Sequence, residues 1–152
     1  MTLLRRYLVV QILMLWQGGF LFYASFVVPT GTQVLGSSEA QGSITARVTD
    51  SLNLCGVAGL AILAWELWAG RDIRRRKLFG WGCWIAAAGC QAALFALHIY
   101  LESLMNPERT FVIDRGRFYR IHGAYLWTST AMWAACLALT WSLLRGWTDR
   151  AN

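Results

Sequence analysis

Residues 7–28 read YLVVQILMLWQGGFLFYASFVV, twenty-two positions without a charged side chain, and Pro29 follows. An α-helix rises about 1.5 Å per residue, so about 20 apolar residues cross the roughly 30 Å hydrocarbon core of a bilayer. This stretch therefore predicts a membrane-spanning helix, closed by the proline. Three further windows reach the same length: Ser51 to Ala69, in which Glu66 is the one ionisable residue; Leu78 to Met105, whose 28 residues are enough to tilt or to project; and Ile121 to Leu144. None alternates polar and apolar residues as barrel strands do, and backbone in lipid must satisfy its own hydrogen bonds, so all four read as helices.

Composition points the same way. The chain has 152 residues, of which 57% are hydrophobic and only 14% charged, against about 25% charged in an average soluble domain. Two prolines and a high apolar content exclude disordered, collagen-like and coiled-coil classes. The net charge of +6 is not gathered on one face or arm. It brackets the apolar windows, which predicts the lipid bilayer as partner and no nucleic acid. One set of flanks holds nine basic residues (Arg5, Arg6, Arg71, Arg74, Arg75, Arg76, Lys77, Arg145, Arg150) and the other five (Arg47, Arg109, Arg115, Arg117, Arg120). The positive-inside bias then predicts cytoplasmic termini and a cytoplasmic RDIRRRK loop. The expected architecture is all-α: a polytopic membrane protein, one domain over residues 1–152, forming an antiparallel four-helix bundle, N-in and C-in, of a bacterial-type inner membrane. Arg5 and Arg6 before an apolar run also fit a signal peptide, but the run exceeds a typical signal core and no A-x-A site follows it, so it is kept as the first helix.

Helices associate in lipid where small residues let backbones approach. The fourth window carries Ala124, Thr128, Ala131, Ala135, Ala138 and Ser142, and the third carries Gly82, Ala86, Gly89, Ala93 and Ala96 at similar spacing. These two seams predict that the third and fourth helices meet through them, so that Ala131→Leu or Ala135→Leu overpacks the contact. Gly18-Gly19 reads as helix packing in the same way. Tryptophans including Trp16, Trp65, Trp68, Trp81, Trp84, Trp127 and Trp147 read as interfacial belts. Cys55, Cys83, Cys90 and Cys136 each lie in apolar runs without a CxxC and read as inert packing residues. Before the second window, Ser38-Glu39-Ala40-Gln41 has capping-box spacing, so that helix is expected to begin early.

Ionisable residues inside a membrane are costly and become functional candidates. Gln91, His98 and Glu102 share one face of the third helix, opposite its small seam, while His122, Tyr125 and Ser129 share a face of the fourth. Asp50 and Asn53 at the mouth of the second helix complete an expected polar cluster of Asp50, Asn53, Gln91, His98, Glu102, His122 and Tyr125. Two histidines and a carboxylate are a transition-metal ligand inventory, with His98, Glu102 and His122 the candidates, and His98 with His122 could bind haem from two faces. The plainer reading is a hydrogen-bonded network that clasps the helices and takes no cofactor. Glu66 is expected to snorkel or to pair with an arginine of RDIRRRK. GxSxG, HExxH and phosphate-binding glycine loops are absent from the sequence, so no catalytic residue is assigned. The sequence thus reads as a non-enzymatic membrane domain or accessory subunit. Its alternatives are a haem- or metal-binding redox protein using His98 and His122, and a small transporter component that forms a homo-oligomer or joins a larger membrane complex.

Three segments, RFYRIHGAYLWTS at 117–129, WQGGFLFYASFVVP at 16–29 and GSSEAQGSITARVTD at 36–50, resemble in order and spacing the four-helix membrane family typified by transmembrane protein 205, which includes bacterial proteins of undefined function. Arg117, Phe118, Arg120, His122 and Gly123 match that family's motif at the opening of its last helix. Tyr125 stands where the family has Ser, and Ser129 where it has Asn. The resemblance implies a four-helix membrane domain, with members discussed in connection with transport or drug resistance.

Overall fold

The computed structural model describes residues 2–70, 74–106, 108 and 111–148, and these residues are helical throughout apart from short connections. The first helix, α1, runs from Thr2 to Leu35 as α-helical pieces Thr2–Leu13, Gly19–Phe22 and Val28–Leu35 joined without a break by π-helical turns Met14–Gly18 and Tyr23–Val27. It does not stop at Pro29. Proline is tolerated in the first turn of a helical piece, and here it sits in the first turn after a π turn, where the ordinary bonding pattern is already displaced. Termination comes at Gly36, whose φ of 63° is the left-handed conformation that glycine adopts without strain.

The second helix, α2 (Ser38–Ala69), begins early as the capping pattern predicts, although the cap is the preceding Ser37, whose Oγ accepts from the Ala40 N–H at 3.3 Å. α3 spans Arg74–Ser103 and α4 Arg115–Thr148. The Arg/Lys run from Arg74 is therefore the first turn of α3 rather than a loop. Asp114 caps α4, taking the Arg117 N–H on its side chain at 3.0 Å, so the helix starts six residues before the expected Ile121. Between α3 and α4 the chain closes with the Ile113 N–H on Leu104 O at 2.8 Å and the Asn106 N–H on Phe111 O at 3.1 Å.

Three helical stretches are long and apolar enough to cross a membrane: Leu3–Leu35, Ala40–Ala69 and Arg74–Ser103. This is compatible with an integral membrane protein. α4 runs for 34 residues, but its tyrosines, tryptophans, serines and threonines, from Tyr119 to Trp147, dilute its hydropathy.

Two clusters fill the bundle. Val9, Leu13, Leu63, Leu67, Leu139 and Leu143 pack at the end where α1 begins and α4 finishes. Trp16, Leu60, Ala87, Leu94, Met132 and Cys136 pack in the middle. Trp16 is thus a core residue, 4% exposed, while Trp65, Trp68 and Trp127 keep their expected outward positions. α3 and α4 are the most closely associated pair, but not through the expected seams. Gly82, Ala86, Gly89, Ala93 and Ala96 are all exposed, as are Ala124 and Ala131, while Thr128, Ala135 and Ala138 are half-buried and Ser142 is buried. α3 instead buries Gly80, Ala87, Gln91, Leu94, His98 and Leu101. The physical reason is that the polar side chains lie opposite the seam: a face carrying Gln91 and His98 has to find partners, and turning it inward turns the small face out.

Close approach is used elsewhere. Trp16 lies over Gly56 and Gly59 of α2, where a Cβ on Gly59 would stand 2.7 Å from the indole Cε3. Gly18 and Gly19, by contrast, have open space beside them. Gly59→Ala should therefore cost about 1–3 kcal/mol by overpacking, measured as a lowered melting temperature in detergent. Gly89→Ala and Ala131→Leu, on the exposed faces, should leave it unchanged.

Candidate functional site

At the end of the bundle opposite the termini, α2 and α3 bring three titratable side chains together. His98 Nε2 stands 2.7 Å from Asp50 Oδ1 and 3.1 Å from Glu102 Oε1. Both neighbours are carboxylates, which when ionised only accept, so the Nε2 position carries the ring hydrogen in the absence of a cation. Glu102 follows His98 by one helical turn, the spacing that places both side chains on one face. The histidine is 8% exposed, whereas the Asp50 side chain is half open at 50%. One ligand atom from each of Asp50, His98 and Glu102 falls within 4.8 Å of the other two.

One turn further into the bundle lies a second tier. Asn53 Oδ1 accepts from Gln91 Nε2 at 3.3 Å and from the Tyr125 hydroxyl at 3.3 Å, linking α2, α3 and α4. Asn53 and Gln91 are each 4% exposed. The two tiers share a register: Asp50 and Asn53 are three residues apart on α2, and Gln91 and His98 seven apart on α3.

Six of the seven residues expected in the polar cluster are thus assembled. The exception is His122, whose ring stacks on Phe118 at 5.9 Å between centroids, 9° from parallel. It is not among the residues whose ligand atoms converge, and its place beside His98 is taken by Asp50. Of the remaining motif residues, Arg117 pairs with Asp114 at 3.3 Å, Arg120 Nε donates to Gly116 O at 3.4 Å, and Gly123 has open space beside its Cα.

The opposite end holds a constellation that sequence reasoning missed. Glu66 is 1% exposed and pairs with Arg5 of α1 rather than with the Arg/Lys run; Arg71 of that run lies outside the described residues. Its other oxygen, Oε1, accepts from Trp147 Nε1 at 2.9 Å, and the Arg6 guanidinium sits 5.2 Å over the Trp147 ring. The clue was available in the antiparallel order, which brings the start of α1, the end of α2 and the end of α4 to one level.

No protein-family model, curated protein or solved structure matches this chain.

Glu66→Ala leaves the Arg5 guanidinium facing an emptied site and should cost about 3–5 kcal/mol, read from thermal or denaturant unfolding in detergent. Combining it with Arg5→Met should restore much of the loss, because no uncompensated charge then remains.

Proposed function

We propose that this chain is an integral membrane protein of the inner membrane with four spanning helices and cytoplasmic termini, a non-enzymatic membrane domain or accessory subunit that holds a divalent transition-metal ion at its outer end. The observation that carries this reading is the convergence of Asp50, His98 and Glu102 with one ligand atom each inside 4.8 Å. A metal ion bound there replaces the hydrogen on His98 Nε2 as the partner of both carboxylates. One imidazole nitrogen and two carboxylate oxygens suit zinc, manganese or ferrous iron, and the half-open Asp50 leaves room for solvent or an exchanging ligand. The Asn53–Gln91–Tyr125 tier beneath the site holds α2 and α3 in register, as outer-shell contacts do around metal sites.

The positive-inside count supports the orientation, and the length of α4 supports a fourth span. The resemblance to the family typified by transmembrane protein 205 supports the four-helix plan, with Arg117, Phe118, Arg120, His122 and Gly123 as its motif residues. Haem binding between His98 and His122 is not favoured, because His122 is engaged with Phe118 and the carboxylates of Asp50 and Glu102 occupy the Nε2 side of His98.

Calorimetric titration of the purified, metal-stripped protein with zinc should give one site per chain, lost in His98→Ala and weakened in Asp50→Asn. Affinity should fall on acidification, since ligands must lose protons to bind. Absence of binding, or equal binding by His98→Ala, would overturn the metal reading.

A further inference from the structure

Between α1 and α4, away from the metal-ligand cluster, a cavity of about 20 Å³ is lined on α1 by Trp16, Gln17 and Phe20 and on α4 by Met132, Trp133 and Cys136. Gln17, Phe20 and Trp133 are only partly buried, so the slot reaches the lateral surface of the bundle. Two N–H groups on its wall, Gln17 Nε2 and Trp133 Nε1, are shielded from solvent and have no oxygen or nitrogen acceptor among the described residues, although Gln17 reaches the Cys136 thiol. The Cys136 thiol beside Gln17 is a weak acceptor. The Ser129 hydroxyl, also on the wall, already donates its hydrogen to Tyr125 O at 2.9 Å. Buried donors left unpaired are rare and expensive, and a helix within lipid has no bulk water to pair them with. The slot coincides with the π turn Met14–Gly18, which contains both Trp16 and Gln17, and π turns inside α-helices concentrate at functional sites.

The volume admits one oxygen-sized group and no drug-sized ligand. A wall that presents two donors, a thiol and a single hydroxyl oxygen matches a carbonyl, which accepts twice and donates nothing, better than a water molecule, which brings two hydrogens of its own. We propose that this slot receives a single carbonyl oxygen presented by an apolar molecule from the bilayer, held by Gln17 Nε2–H and Trp133 Nε1–H. The hydrocarbon remainder of that molecule lies outside, along Phe20 and Met132. The carbonyl comes from the ring of a membrane-dissolved quinone, because Gln17 and Trp133 lie at the middle of the apolar windows 7–28 and 121–144, about 15 Å from the level of phospholipid esters. The inference rests on α1 being a membrane span and is independent of the metal site.

The test is a titration of the full chain, labelled with nitrogen-15 at tryptophan indoles, in dodecyl maltoside, which has no carbonyl. Trp133→Phe assigns the Trp133 N–H resonance. A decyl-tailed benzoquinone and a diacyl phosphatidylcholine supply carbonyls; a dialkyl-ether phosphatidylcholine and undecane do not. The expected result is a saturable shift of the Trp133 resonance with the benzoquinone and none with the ether lipid or undecane, and a roughly five-fold weaker affinity in Gln17→Leu. A response to the diacyl ester without one to the benzoquinone would overturn the quinone source. An unmoved resonance with the benzoquinone, an equal shift with the ether lipid, or a bound-water cross-peak that the benzoquinone does not displace would overturn the proposal. The wild-type titration decides it even where Gln17→Leu does not fold.

Discussion

The roll of α3 about its own axis is decided by the hydrogen bond from Gln91 to Asn53 and the pairing of His98 with Asp50. In a medium without water, an amide or imidazole turned outward has nothing to bond, so the face that carries these groups must meet another helix. Once Gln91 and His98 point at α2, the rest of α3 follows: Ala87, Leu94 and Leu101 join the core, and Gly82, Ala86, Gly89, Ala93 and Ala96 turn away from it. α4 then packs against the same buried face through Ser129, Met132, Cys136 and Leu139, and its Tyr125 reaches Asn53 as the third member of the tier.

The two ends of the bundle solve the same electrostatic problem with opposite outcomes. Glu66 is sealed, with Arg5 on one oxygen and Trp147 on the other, so its charge fastens the start of α1 and the end of α4 to α2. Asp50, His98 and Glu102 are left half open, two carboxylates around one nitrogen. Their oxygens and the imidazole nitrogen converge instead of being capped by one buried cation as Glu66 is. Leu63, Leu67, Leu139, Val9 and Leu13 lie near the sealed end, while Trp16 packs over Gly56 and Gly59 in the middle. Between them the Trp84 indole N–H donates to Leu60 O at 2.8 Å, tying α3 to α2 within the apolar middle.

Length and hydropathy made the helices legible, and the early start of α2 was legible from Ser38-Glu39-Ala40-Gln41, although the cap itself fell one residue earlier, on Ser37. The polar cluster was legible because cost alone singles out an intramembrane His or Glu, and helical spacing put Gln91, His98 and Glu102 together. Boundaries were not: Pro29 signals an end only in an uninterrupted α-helix, and local sequence does not reveal the π turn that precedes it. The small-residue seams misled because the spacing of Ala and Gly shows that close approach is sterically allowed, not that anything approaches; on α3 the competing polar face won. Asp50 joins the cluster as expected, whereas His122 leaves it because its ring stacks on Phe118 one turn earlier in α4, a contact that sharing a helix face does not reveal. Glu66 was assigned to the nearest arginines in sequence, whereas antiparallel packing supplied Arg5 from 61 residues away.

The orientation of α3 is therefore the claim on which the site, the packing and the exposed small face all depend. Single cysteines introduced in turn from residue 86 to residue 98 of a cysteine-free variant, spin-labelled in liposomes, report collisions with lipid-dissolved oxygen. Accessibility should oscillate with helical period, highest at 89, 93 and 96 and lowest at 87, 91, 94 and 98. An oscillation of opposite phase, with 91 and 98 the most accessible, would contradict the account.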